Sequence, residues 1–178
     1  IQPICWLIVL TALAAAAAWG YEQFNVANWQ TLDTGKLSNL AQTGAIYDKD
    51  GNYVTTLVGR ENRTVIDTSA LPRYVVDAFL AAEDLRFYKH PGFDVTRILG
   101  ALVSNFKSGG FDQGASTITQ QLVKLSHLSS QKTIARKLEE VWLALQMEQI
   151  YTKEQILDLY LNYIYFGQGA YGIQAAAE

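Results

Sequence analysis

One acidic residue stands in the middle of an apolar helical stripe. Val76, Phe79 and Leu80 lie seven, four and three residues before Glu83, and Phe87 lies four after it. Spacings of 3, 4 and 7 mark the core-facing side of a helix, so a hydrophobe is expected at position 83. A carboxylate there must be paired, must border a cleft, or must hold its proton unusually tightly. The last property suits a general acid or base near neutral pH. The alternative is a helix phase wrong by one residue, with Glu83 solvated.

The pattern is helical from Leu71 onward. The helix through Glu83 is expected to end near Lys89, ahead of Pro91-Gly92. A second helix is expected over residues 95–105. The Gly-rich stretch 107–114 reads as a mobile loop. Residues 115–124 concentrate hydroxyls and amides at a helix start, where free N–H groups meet an anion. Ser129 or Ser130 is expected to open the next helix, with Ile134, Leu138, Val141 and Leu145 as its core stripe. Arg136 and Lys137 precede Glu140 by four and three, so the three share a face. Thr152-Lys153-Glu154-Gln155 is a capping-box pattern before a helix over residues 155–165 that is apolar nearly all round.

The first part of the chain reads differently. Residues 1–21 carry no charge, enough to span a bilayer as a helix, with Trp6, Trp19 and Tyr21 near its ends. The expectation is a transmembrane anchor over 1–21. A signal peptide and a buried soluble helix are the alternatives. Residues 22–44 read as a juxtamembrane segment with a short helix around 27–32. Two β-rich runs, 45–47 and 52–58, flank Asp48-Lys49-Asp50-Gly51 and read as a hairpin. Residues 63–66 would add a third strand. The chain starts at Ile1 and stops at Glu178 inside an Ala-rich helical pattern, so it reads as a piece of a longer protein.

Composition narrows the function classes. A net charge of -3, and no basic run interleaved with aromatics, speaks against nucleic-acid binding. A single cysteine, Cys5, excludes a disulfide framework and a Cys-based zinc site. Two histidines, His90 and His127, are too few for a His-based metal site.

Four motifs then fall into one series. They are Glu83-Asp84-x-x-Phe87-x-x-His90-x-Gly92-x-Asp94, Gly114-x-Ser116-Thr117-Ile118-Thr119-Gln120-Gln121-Leu122-x-Lys124, Arg136-Lys137-x-x-Glu140, and Tyr160-Leu161-Asn162-x-x-Tyr165-Phe166-Gly167. This series resembles the peptidoglycan glycosyltransferase family, the transglycosylase module of class A penicillin-binding proteins and of monofunctional transglycosylases. The likeness covers residues 45–178. It departs at Leu125, where the family commonly has Asn, and the fifth motif is only begun at residues 172–177.

The resemblance implies a mainly α, lysozyme-like domain with a small β-hairpin near its start, behind an N-terminal transmembrane helix. The domain would sit on the outer face of the bacterial inner membrane. Its partners would be lipid II, the growing lipid-linked glycan and the membrane. The implied reaction joins lipid II units by inverting β-1,4 transfer with loss of undecaprenyl pyrophosphate. Glu83 matches the family's catalytic glutamate and Glu140 its second one, with Glu140 positioning cations and donor phosphate. Lys124, Arg136 and Lys137 match positions that face the pyrophosphate, and Lys132 would join them. Ser116, Thr117, Gln120 and Gln121 would bind sugar or phosphate oxygens, while Asp84 and His90 would brace the first motif. Loop 107–114 would be a flap over the cleft. No cofactor is required, although Mg or Mn could bridge the pyrophosphate with Asp84 as a ligand. A lysozyme-like hydrolase or lytic transglycosylase is the alternative enzyme. An inactive glycan-binding fragment is the alternative outside enzymes.

Overall fold

The computed structural model describes Thr11 and residues 29–57, 61–108, 115–129, 131 and 133–178. After a one-turn helix α1 (Gly35–Ser38) come β1 (Gly44–Tyr47), β2 (Tyr53–Leu57) and β3 (Asn62–Arg63). Then follow α2 (Arg73–Glu83), α3 (Val95–Ser108), α4 (Ile118–His127), α5 (Ile134–Ile150) and α6 (Lys153–Tyr163). The described chain closes with β4 (Tyr165–Gly167), β5 (Ala170–Tyr171) and α7 (Ile173–Ala177). The architecture is mainly helical with a small β component.

The core lies between α4, α5 and α6. Ile118, Leu122 and Val123 meet Leu143, Ala144 and Met147, and Ile156, Tyr160 and Leu161 close the third side. Both flanking turns are well specified. Thr117 caps α4 and Thr152 caps α6, each in a capping box with the glutamine three residues on. Each box satisfies backbone N–H groups that the first helical turn leaves without partners. The box at Thr152 and the apolar girth of α6 agree with the sequence pattern.

The hairpin forms as expected: β1 pairs antiparallel with β2, with Ala45 opposite Thr56. Asp48 Oδ1 accepts from the Asp50 and Asn52 backbone N–H groups, and Gly51 takes φ 84°. The third strand does not join it. Instead β3 pairs in parallel with β5, which pairs antiparallel with β4. Its two residues reach across the chain because Arg63 is buried against the rings of Tyr163 and Tyr171. Residues 29–38 also pack on the helical body. Leu37 is buried in the core, Trp29 meets Trp142 edge-on at 6.3 Å, and the Asp33 N–H bonds His127 Nε2 at 3.1 Å.

Three further expectations are corrected. No helix among the described residues is long and apolar enough to cross a membrane. This overturns the single-pass transmembrane helix and the inner-membrane placement built on it. The longest described helix, α5, carries Arg136, Lys137, Glu139, Glu140 and Glu148, charges that a hydrocarbon layer would not solvate. Residues 1–21, Thr11 apart, lie outside the described residues, as do 109–114 of the expected flap. Next, α2 stops at Glu83 rather than near Lys89. Phe87–Lys89 form a separate 3-10 turn, so Phe87 reaches the core from a new direction. Last, the core stripe of α5 is Glu140, Leu143, Ala144 and Met147, while Ile134 is 73% exposed.

Candidate active site

Three elements meet at the end of α2, and buried polar groups fix their approach. Asp84, the C-cap of α2, is 1% exposed. Its Oδ2 accepts from the Ile118 backbone N–H at 3.1 Å, at the start of α4. His90 Nε2 lies 3.0 and 3.1 Å from its two oxygens. A carboxylate at a helix N-terminus is favourably placed, and here it ties the turn after α2 to α4. The Thr117 hydroxyl adds a second tie, donating to the Gly92 carbonyl at 2.6 Å. Gly92 itself has φ 94°, and a Cβ there would stand 2.9 Å from the Ala144 carbonyl oxygen. Only glycine lets this turn lie so close to α5.

Asp94 secures the other end of the turn. Its Oδ1 accepts from the Arg97 N–H at 3.0 Å and the Thr96 hydroxyl at 2.8 Å and is contacted by Arg86 Nη2, while its Oδ2 accepts from Arg86 Nε at 2.8 Å. Burial pushes the Asp94 carboxyl up, but the Arg97 N–H, the Thr96 hydroxyl and the Arg86 guanidinium outweigh it and bring it down to about 2.

Glu83 lines a cleft of about 340 Å³ with Arg86, Asp94, Thr96 and Arg97. Its Oε2 accepts from Gln121 Nε2 at 2.8 Å. Its backbone carbonyl accepts from Arg97 Nη1. The Gln121 carbonyl oxygen in turn accepts from the Tyr160 hydroxyl at 3.2 Å. Of the three settings the sequence left open for this carboxylate, it therefore has two: it is paired, and it borders a cleft.

A second cluster lies at the start of α4 and on α5. Glu140 is 1% exposed and sits in the core stripe. Arg136 Nη1 reaches its Oε2 at 3.3 Å, and Lys137 Nζ contacts Oε1. Lys137 also donates to the Ser116 hydroxyl at 2.8 Å. A buried carboxylate without such partners would cost several kcal/mol, on the order of the full desolvation of an ion. The two cations keep it in place, and Lys137, 44% exposed, keeps one face toward solvent.

The remaining candidates divide by burial. Thr117 and Gln120 are buried, at 0% and 1% exposure, and form the α4 capping box, with the Thr117 hydroxyl also donating to Gly92. Lys124 projects from α4 as an exposed side chain. Lys132 lies outside the described residues. Among the described residues, no group of three or more His, Cys, Asp or Glu side chains is arranged to hold a metal ion, and the Asp84 oxygens are engaged by His90 and Ile118.

Sequence reasoning gave no role to Tyr160, Arg86, Arg97 and Asp94. Asp94, directly before a helix start, carried an N-cap signal that would have found it. Tyr160 stands at the head of the fourth motif, but nothing local gave its hydroxyl a role, because an apolar helix face accommodates a tyrosine as readily as a phenylalanine.

A carboxylate in an open cleft is thus joined by one helix to a second carboxylate clasped by two cations. Residues 50–178 match the Transglycosylase family. Penicillin-binding protein 1A/1B of Bacillus subtilis (strain 168) is 51% identical over 153 residues, covering 86% of this chain and 16% of that protein. Penicillin-binding protein 1A of Streptococcus oralis is 42% identical over 179 residues, 98% of this chain and 28% of its own length. Penicillin-binding protein 1A of Haemophilus influenzae is 45% identical over 141 residues, 79% and 16%. The chain belongs to the transglycosylase family. It spans between 16% and 28% of the length of these relatives.

Proposed function

We propose that this chain polymerises lipid II into β-1,4-linked glycan strands of peptidoglycan. The acceptor's 4-hydroxyl attacks C1 of the donor sugar. The bond from C1 to the pyrophosphate oxygen breaks, and undecaprenyl pyrophosphate leaves with the electron pair. Glu83 takes the hydroxyl proton as general base. A single displacement from the face opposite the leaving group inverts the anomeric centre.

The observation that carries this reading is the state of the Glu83 carboxylate. One oxygen is anchored by Gln121 within the cleft. The other, Oε1, has no hydrogen-bond partner among the described residues and remains free to receive a proton. A sugar hydroxyl is a weak nucleophile, and a positioned base contributes about 100- to 10,000-fold.

The leaving group sets the second demand. A departing pyrophosphate carries at least two negative charges, and fixed cations stabilise it as it forms. Arg136 and Lys137 meet that demand, the guanidinium by its paired donors. Lys124 follows Gln121 by three residues and so shares its helix face, and Lys132 completes the set. Ser116, hydrogen-bonded to Lys137, is assigned to the same phosphate. Glu140 holds the two cations apart and oriented. Asp84, His90, Thr117 and Gln120 keep the turn after α2 and the start of α4 in register. The cations separate this reading from a glycan hydrolase, which expels no pyrophosphate.

The test is incubation with labelled lipid II in detergent, with products separated by size. A ladder of glycan polymers is expected from the native chain. Glu83→Gln is expected to lose at least about 100-fold in turnover while keeping its fold. Ladder formation by Glu83→Gln at the native rate would remove Glu83 from the role of base.

A further inference from the structure

The Glu83 carboxylate rests on a side chain that is itself held from the far side of the core. Gln121 presents two different atoms to its two neighbours. A carboxylate only accepts hydrogen bonds, so the end that faces Glu83 must be the NH2 group. The carbonyl end then needs a donor. Tyr160 supplies it, with its hydroxyl 3.2 Å from Gln121 Oε1.

We propose that Tyr160 is a positioning residue for the reaction: through the Gln121 amide it fixes which oxygen of Glu83 is anchored and which is free to take the proton. The proposal rests on the reading of Glu83 as the base. It makes Oε2 the anchored atom and Oε1 the reactive one.

The setting suits this role. Tyr160 lies on α6 among Ile156, Leu157 and Leu161, and is 0% exposed. Its ring is held by packing, so its hydroxyl has one direction to point. Burial, and then the negative charge of Glu83, push the phenol well above its ordinary range, so it stays a donor at any working pH. Without it, the carbonyl end of this half-buried amide loses its protein donor, and the amide is free to turn over. A turned amide would set oxygen against oxygen at Glu83 and release the carboxylate from its position.

Tyr160→Phe keeps the ring and removes only the hydroxyl. Its expected effect is about a tenfold loss in kcat with KM unchanged. A double-mutant cycle separates positioning from general packing. In a Gln121→Ala background, Tyr160→Phe should cost nothing further, because the link it acts through is already gone. Equal costs in both backgrounds, or native kcat in Tyr160→Phe, would overturn the proposal.

A second readout does not depend on turnover. In 15N-labelled protein, the Gln121 side-chain NH2 signals should move in both Tyr160→Phe and Glu83→Gln. If they stay in place in Tyr160→Phe, the positioning role is refuted even in an active enzyme. If they move but the native chain makes no polymer, the link stands and the assigned reaction fails.

Discussion

Replacing Glu140 by glutamine removes one charge from the core and leaves two behind. The two cations fare differently. Lys137 is 44% exposed and can turn into water, keeping Ser116 as a partner. Arg136 is 16% exposed and cannot, and its Nε already lacks a hydrogen-bond partner among the described residues. Breaking a fully buried ion pair costs about 3–5 kcal/mol. Here the partial exposure of the cations lowers that figure, and glutamine still accepts one hydrogen bond. The expected loss is about 2 kcal/mol, or roughly 4–8 °C in Tm for a chain of this size. Thermal unfolding followed by circular dichroism reads it directly. A Glu140→Gln melt at or above the native Tm would refute the reasoning. It would mean that desolvation of the carboxylate already cancels what Arg136 and Lys137 supply.

Two other features make equally definite statements. Gly92→Ala forces a Cβ to 2.9 Å from the Ala144 carbonyl at φ 94°, and should destabilise the chain by about 2–4 kcal/mol; a native denaturant midpoint would show that the turn yields freely. Asp94 has its carboxyl lowered from 3.8 to about 2 on folding. Its contribution is therefore full above the unfolded value and disappears as pH falls from near 4 towards 2. Solvent reaching the Arg86 side chain, 42% exposed, screens the pair, which leaves about 1 kcal/mol. Asp94→Asn should flatten the stability-against-pH curve in that window, and an unchanged slope would contradict the assignment.

Much of the fold could be read from hydrophobic period and cap residues. The hairpin around Asp48 to Gly51, the capping box at Thr152 and the apolar α6 all announce themselves locally. Helix phase was harder. On α5, Ile134 and Leu138 offer a stripe as regular as the real one, and the true stripe includes an acid. The carboxylate that stands where a hydrophobe belongs is Glu140. Glu83 ends its helix, half-buried at a cleft. Pairings over long sequence distances were hidden altogether. Neither the parallel match of β3 with β5 nor the Tyr160–Gln121 bond leaves a mark in local composition, because each depends on which faces the core brings together. The family motifs marked the site's residues without saying which face the substrate. Thr117 and Gln120 sit inside such a motif, yet both are buried and together cap α4.

One helix carries both halves of the site. Ser116 stands just ahead of the α4 cap and meets Lys137, while Gln121, five residues on, meets Glu83. The separation between these two anchor points is roughly 8 Å, set by helical rise and locked by the Thr117–Gln120 box. It acts as a ruler of fixed length. Loops on either side can move without changing it, whereas any slip in the helix start would shift both anchors together. The spacing between Glu83 and the two cations is thus a property of backbone hydrogen bonding rather than of side-chain adjustment.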